Sequence, residues 1–107
     1  MGNLAEKHCV PCHGGVPRLT GEEIAPLLGQ LEGWEAVEGH HLSKAYRFPN
    51  FAEALSFVNR VGAVAEAEGH HPDLSFGWGY ARITIYTHAI DGLSESDFVL
   101  AARIDAA

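Results

Sequence analysis

Seven of the 107 residues are histidine, and three of them stand where they could share chemistry. His70 and His71 follow Gly69 and precede Pro72, whose ring fixes the exit of the chain. His88 ends an alternating apolar run, and Asp97 lies just inside the next helical pattern. An imidazole with an ordinary pKa can give or take a proton near neutrality. Three of them with a carboxylate, beside the run Leu74, Phe76, Trp78, Tyr80, suit proton movement on a flat heteroaromatic substrate. Each residue also has a plain structural reading. His70 and His71 suit a helix end, where they meet the last carbonyls. His88 suits a cross-strand pair, Asp97 the acidic place of a capping box opened by Ser94, and the aromatic row a core. A zinc site built from the three histidines is disfavoured, because adjacent imidazoles rarely both reach one metal.

A second candidate lies near the N-terminus, in His8-Cys9-Val10-Pro11-Cys12-His13-Gly14-Gly15. The C-x-x-C-H spacing is that of a c-type haem attachment, which requires export. C-x-P-C is also a thioredoxin-like spacing, but that motif needs a strand before the first cysteine and a helix opening at it. Two thiolates with His8 or His13 make zinc a third reading. A structural zinc site takes four ligands, usually from two separated pairs, and only the distant pair His40-His41 is there to complete it. The fourth reading is a reduced N-terminal arm, residues 1–19, ahead of a folded domain at 20–107.

The elements that must position these residues are regular from Thr20 onward. Thr20-Gly21-Glu22-Glu23 is a capping box, and Ile24, Leu27, Leu28 and Leu31 recur at helical spacing up to Gly33. Pro26 inside that pattern predicts a helix that is short or begins a turn late. Trp34–Glu38 and Leu42–Phe48 read as strands around a Gly39-His40-His41 turn, with Leu42, Tyr46 and Phe48 on one face. Asn50 caps the longest helix, whose apolar stripe is Phe51, Ala54, Leu55, Val58, Val61 and Ala65, with Gly69 as its stop. Leu74–Tyr80 alternates as a third strand, and Arg82–Ile90 is a fourth. In the fourth, Ile83, Ile85 and Thr87 share one face and Thr84, Tyr86 and His88 the other. After the Asp91-Gly92 turn, Ser94-Glu95-Ser96-Asp97 caps a closing helix carrying Phe98, Leu100, Ala101 and Ile104. The order is α-β-β-α-β-β-α. It predicts an α+β fold in which helices pack on one face of a four-stranded antiparallel sheet.

Composition narrows the classes. Lys and Arg number 7 against 14 Asp and Glu, a formal charge of -7. That opposes nucleic-acid binding, where basic residues must neutralise phosphates. No run of about 18 apolar residues is available to span a membrane. MGNLAEKHCV contains no apolar signal core, so the expected location is the cytoplasm.

The series Glu66-Ala67-Glu68-Gly69-His70-His71-Pro72, Trp78, Thr87-His88, Gly92-Leu93-Ser94 and Asp97 closely resembles the signature of the pterin-4a-carbinolamine dehydratase family. The likeness runs from Thr20 to the C-terminus and includes Gly33-Trp34. The Cys9/Cys12 segment is similar to N-terminal arms of some bacterial members. The resemblance implies dehydration of a 4a-hydroxytetrahydropterin to quinonoid dihydropterin and water, in recycling the pterin of an aromatic amino acid hydroxylase. By position it makes His70, His71 and His88 the catalytic group, with Asp97 orienting it and His71 and His88 nearest the substrate. It makes Glu66 a support for the pair from one helical turn earlier, and gives Pro72, Trp78 and Thr87 supporting places around the pocket. Trp78 stands where the family often has another aromatic. No cofactor is implied, since the pterin is the substrate. A homodimer or homotetramer is implied. The alternative is a protein-binding module, because the family also includes a dimerisation cofactor of a transcription factor.

Overall fold

A computed structural model describes residues 4–6 and 17–107. Its elements are a 3-10 turn at Leu4–Glu6, α1 (Gly21–Leu28), β1 (Glu35–Val37), β2 (His41–Arg47), α2 (Phe51–Glu68), β3 (Asp73–Gly77), β4 (Tyr80–Ile85), a 3-10 turn at His88–Ile90, and α3 (Glu95–Ala106). All strand pairs are antiparallel, in the order β1-β2-β4-β3. The α+β order read from the sequence is the order observed.

Registers explain the two faces of the sheet. Leu42 pairs with Ile85, Lys44 with Ile83 and Tyr46 with Ala81, while Leu74 and Phe76 stand opposite Ile83 and Ala81. That face meets the helices and holds the buried Leu42, Ala81, Ile83 and Ile85. Ser43, Ala45, Ser75, Arg82 and Thr84 fall on the other face, as a pleat requires. From α3, Phe98, Leu100, Ala101 and Ile104 complete the core.

Several elements differ from their sequence reading, each for a local reason. Helix α1 stops at Leu28 with Gly29 as its cap, so Leu31 lies beyond it. Pro26 removes one ladder donor, and the helix ends within a turn of it. In α2 the buried residues are Ala54, Phe57, Val61 and Ala65, while Phe51 and Leu55 are exposed. Phe57 draws the helix round, because its ring packs against Tyr46 and Phe48 at centroid distances of 4.5 and 5.2 Å. The run Leu74–Tyr80 is not one strand. Gly79 adopts φ +81, a left-handed conformation that reverses the chain, and Gly77 then pairs with Tyr80. Tyr80 therefore lies on the face opposite Leu74 and Phe76. Its ring crosses Gly77, where an added Cβ would stand 2.8 Å from Tyr80 Cε1. The fourth strand ends at Ile85, and His88 opens a 3-10 turn instead.

Two features tie the ends of the chain to the domain. Leu4 is buried against α3 and belongs to the core, and Leu19 N donates to Leu93 O at 2.9 Å. Cys9, Cys12, His8 and His13 lie outside the described residues. At the other end, Asp105 near the C-terminus of α3 gathers Trp34 Nε1 (2.8 Å), Lys44 Nζ (3.0 Å) and Tyr46 Oη. Lys44 supplies the positive charge that a carboxylate at a helix C-terminus otherwise lacks. No helix among the described residues is long and apolar enough to cross a membrane.

Leu4→Ala should lower unfolding free energy by about 2–3 kcal/mol, the usual cost of truncating a buried leucine. Urea denaturation checks it, and an unchanged midpoint would mean that Leu4 does not pack as described. Burial, then the hydrogen bond to Asp105, pushes the Tyr46 phenol above the ordinary value of 10.0. Because the folded pKa is the higher one, this contribution is complete below about pH 10 and is lost as pH rises further. Tyr46→Phe should therefore flatten the alkaline decline of stability, and equal slopes in the two proteins would contradict the assignment.

Candidate active site

The site is built on the helix end that delivers His70. Gly69 closes α2 in the left-handed conformation (φ +64). Its N–H reaches Glu66 O at 3.3 Å, and the N–H of His70 reaches back to Ala65 O at 3.2 Å. That pair of bonds is a Schellman closure, which sets the direction of the chain as it leaves the helix. The side chain of His70 is then 13% exposed, and its Nε2 lies 2.6 Å from Asp97 Oδ1.

Asp97 is the centre of the arrangement. It sits in the first turn of α3, where the helix dipole favours a negative charge, and its side chain is fully buried. Oδ2 accepts the Ser94 N–H at 2.8 Å and the Thr87 hydroxyl at 2.9 Å. With its proton on Asp97, Thr87 Oγ1 is left to accept from Ser94 Oγ at 2.9 Å. Every group around the carboxylate donates to it, so His70 carries its proton on Nε2. A neutral His70 therefore keeps its lone pair on Nδ1. The carboxylate thus joins the end of α2, the second residue after β4 and the start of α3.

The other sequence candidates are placed less tightly. His71 is 61% exposed at its side chain, with Nε2 3.6 Å from Glu66 Oε2. Glu66 lies in the last turn of α2, five residues before His71, and the reversal at Gly69 brings the two side chains near each other. Pro72 leads directly into β3. His88 is exposed, and its ring stacks on Tyr86 at 4.1 Å rather than on either member of the pair. Trp78 is not brought in. It stands 72% exposed at the β3–β4 turn and makes no hydrogen bond or ring contact with the histidines, because Gly79 turns the chain there. No group of three or more metal-binding side chains is arranged to hold a metal among the described residues.

Sequence reasoning missed a second row beside His88. His40 Nε2 lies 2.7 Å from Asp91 Oδ1, and its ring meets Tyr86 at 4.6 Å. The hydrogen bond from His40, then its charge, holds the Asp91 carboxyl below the ordinary value. The signal was available in part, since alternation already put Tyr86 and His88 on one face.

Residues 17–107 match the family model described as pterin 4 alpha carbinolamine dehydratase. The chain belongs to that family. A candidate pterin-4-alpha-carbinolamine dehydratase of Rubrobacter xylanophilus is 64% identical over 105 residues, covering 98% of each chain. One of Alkaliphilus metalliredigens is 54% identical over 106 residues, covering 98% of this chain and 96% of that one. Among solved structures, a transcriptional coactivator/pterin dehydratase from Brucella melitensis superposes with a TM-score of 0.78. It is 30% identical over 83% of this chain and 96% of its own. A pterin dehydratase-like protein identified as a RuBisCO assembly factor in the alpha-carboxysome gives 0.54 and 33% identity, over 62% of this chain and 76% of its own. Membership in this family of hydro-lyases agrees with the resemblance carried by His70-His71-Pro72, Thr87-His88 and Asp97.

Asp97→Ala should cost about 3 kcal/mol of stability, since it strands the Ser94 amide, the Thr87 hydroxyl and His70 Nε2. Thr87→Val, which removes one donor and keeps the shape, should cost about 1 kcal/mol. Denaturant titration of both checks this, and a harmless Asp97→Ala would refute the central place given to the carboxylate.

Proposed function

We propose that this protein dehydrates a 4a-hydroxytetrahydropterin through its histidines, in the recycling of the pterin used by an aromatic amino acid hydroxylase. The observation that carries the reading is the 2.6 Å bond between His70 and the buried Asp97, in a chain whose family model is that of the dehydratase. The reaction breaks the C4a–O bond and removes the proton on N5. Hydroxide leaves poorly, so an acid must protonate it as the bond breaks, and a base must take the N5 proton. The products are water and the quinonoid dihydropterin.

The residues divide these tasks by their settings. Asp97 holds His70 in one tautomer, with the Nδ1 lone pair as the basic position. His71 and His88 are both exposed, and they are the side chains free to meet a ligand and hand a proton to the departing hydroxyl. Glu66 steadies His71, and Thr87, past the end of β4 and immediately before His88, fixes Asp97. The pterin is the substrate, and the proposed steps use no cofactor. Trp78 takes no part in this chemistry. With the exposed Leu74 it gives the edge strand β3 and its turn an apolar border, where we place self-association into a homodimer or homotetramer. The second reading is a protein-binding module on the same fold, as the coactivator and assembly-factor neighbours are named.

The test is carbinolamine dehydration followed by ultraviolet absorbance, with His70→Ala, His71→Ala and His88→Ala beside wild type. Loss of a positioned acid or base should lower kcat about 100-fold in each folded variant. A wild type inactive on several 4a-hydroxypterins would favour the binding module. Activity surviving all three substitutions would place the chemistry elsewhere.

A further inference from the structure

We propose that Tyr86, backed by His40, is the positioning residue that aims the imidazole of His88 at the substrate. This inference rests on the dehydratase reading of His88 and assigns roles to two residues outside the family signature.

The backbone under His88 is fastened from several sides. Thr87 and Gly92 exchange N–H···O bonds of 2.9 and 3.4 Å across the turn. Arg18 Nε donates to Ile90 O at 2.8 Å. The Arg18 side chain lies so close over Gly92 that an added Cβ would meet its carbons at 2.6 and 2.8 Å. Asp91, in the left-handed region at φ +48, is held by His40. The turn is therefore placed. The direction of the exposed His88 ring is a separate matter, because an unsupported side chain on a fixed backbone still samples several rotamers.

One neighbour restricts that choice. The His88 ring lies over Tyr86 at a centroid distance of 4.1 Å and an interplanar angle of 27°. No hydrogen bond to the His88 ring accompanies it among the described residues. Tyr86 is itself partly buried against the core, so it is the fixed member of the pair. The Tyr86 ring also meets His40, 4.6 Å away and tilted by 41°. His40 is in turn held by Asp91 at 2.7 Å and by His41, Nδ1 to Nδ1, at 3.1 Å. Continuing the β2–β4 register one residue past Leu42 and Ile85 brings Tyr86 opposite His41, so the β1–β2 turn supplies the backing. Of the titratable groups, Asp91 and His41 meet His40, and Arg18 fastens the same turn through Ile90 O. The result is that Tyr86 contacts both His40, which Asp91 holds, and His88, the proton-carrying group. A catalytic group displaced by about 1 Å can lose much of its effect, which gives the stack a function beyond stability.

The experiment is carbon–proton NMR of the assigned histidine rings in the full chain, together with steady-state dehydration. In wild type the His88 ring protons should be displaced upfield by the Tyr86 ring current; their absence from that position overturns the proposal without any variant. Tyr86→Leu should abolish the displacement and lower kcat about fivefold, the scale of one aromatic pair, with KM within about twofold. Tyr86→Phe should restore both, and His40→Ala should shift both in the same direction by a smaller factor, about twofold. Displacement lost with kcat unchanged would overturn the positioning role. A ring displacement present in a wild type that dehydrates no pterin would overturn the dehydratase reading, and the positioning role with it, while the stack itself stands.

Discussion

The buried carboxylate of Asp97 is the constraint on which the rest of the site depends. A charge removed from water must be met by donors on every side, because an unmet one costs several kcal/mol. Here the donors come from three separate elements: His70 past the end of α2, Thr87 past the end of β4, and Ser94 at the cap of α3. Satisfying the charge therefore forces those three ends together. The same requirement fixes the tautomer of His70, so that one interaction settles both the junction and the protonation pattern that the proposed chemistry uses.

The sheet separates two kinds of work at this junction. Residues on its helix-facing side, from Ile83 and Ile85 to Thr87, run into the core and end at Asp97. On its other side Arg82 and Thr84 lead to Tyr86, just past β4, and His88 stacks on that ring from the following 3-10 turn. Consecutive residues Thr87 and His88 thus serve opposite ends of the site, one holding the buried anchor and the other presenting an exposed imidazole. The end of β4 at Ile85, the Thr87–Gly92 bridge and the 3-10 turn at His88–Ile90 separate the two side chains.

Much of this was legible beforehand, and the parts that were not share a cause. The α-β-β-α-β-β-α order followed from caps and periodicity, because Thr20, Asn50 and Ser94 act within three or four residues of themselves. The pairing of His70 with Asp97 was visible only as a shared location, since 27 residues separate them. Where the reading failed, a neighbour distant in sequence decided. Phe57 entered the core because Tyr46 and Phe48 were there to receive it. Trp78 and Tyr80 read as one face with Leu74 and Phe76, by an alternation that Gly79 interrupts. The burial of Leu4 carried no local signal, since a single leucine ahead of polar residues has no period.

Local sequence accounts for the order of helices and strands, the caps at Thr20, Asn50 and Ser94, and the apolar face of β4. These are properties of short windows, set by hydrogen bonds and side-chain spacing within a few residues. Only the tertiary structure decided that Asp97 is fully buried, that His70 donates to it from Nε2, and that His88 lies on Tyr86 rather than beside His70. Those outcomes depend on which surfaces exclude water from one another, and exclusion is a property of the packed chain and not of any segment within it.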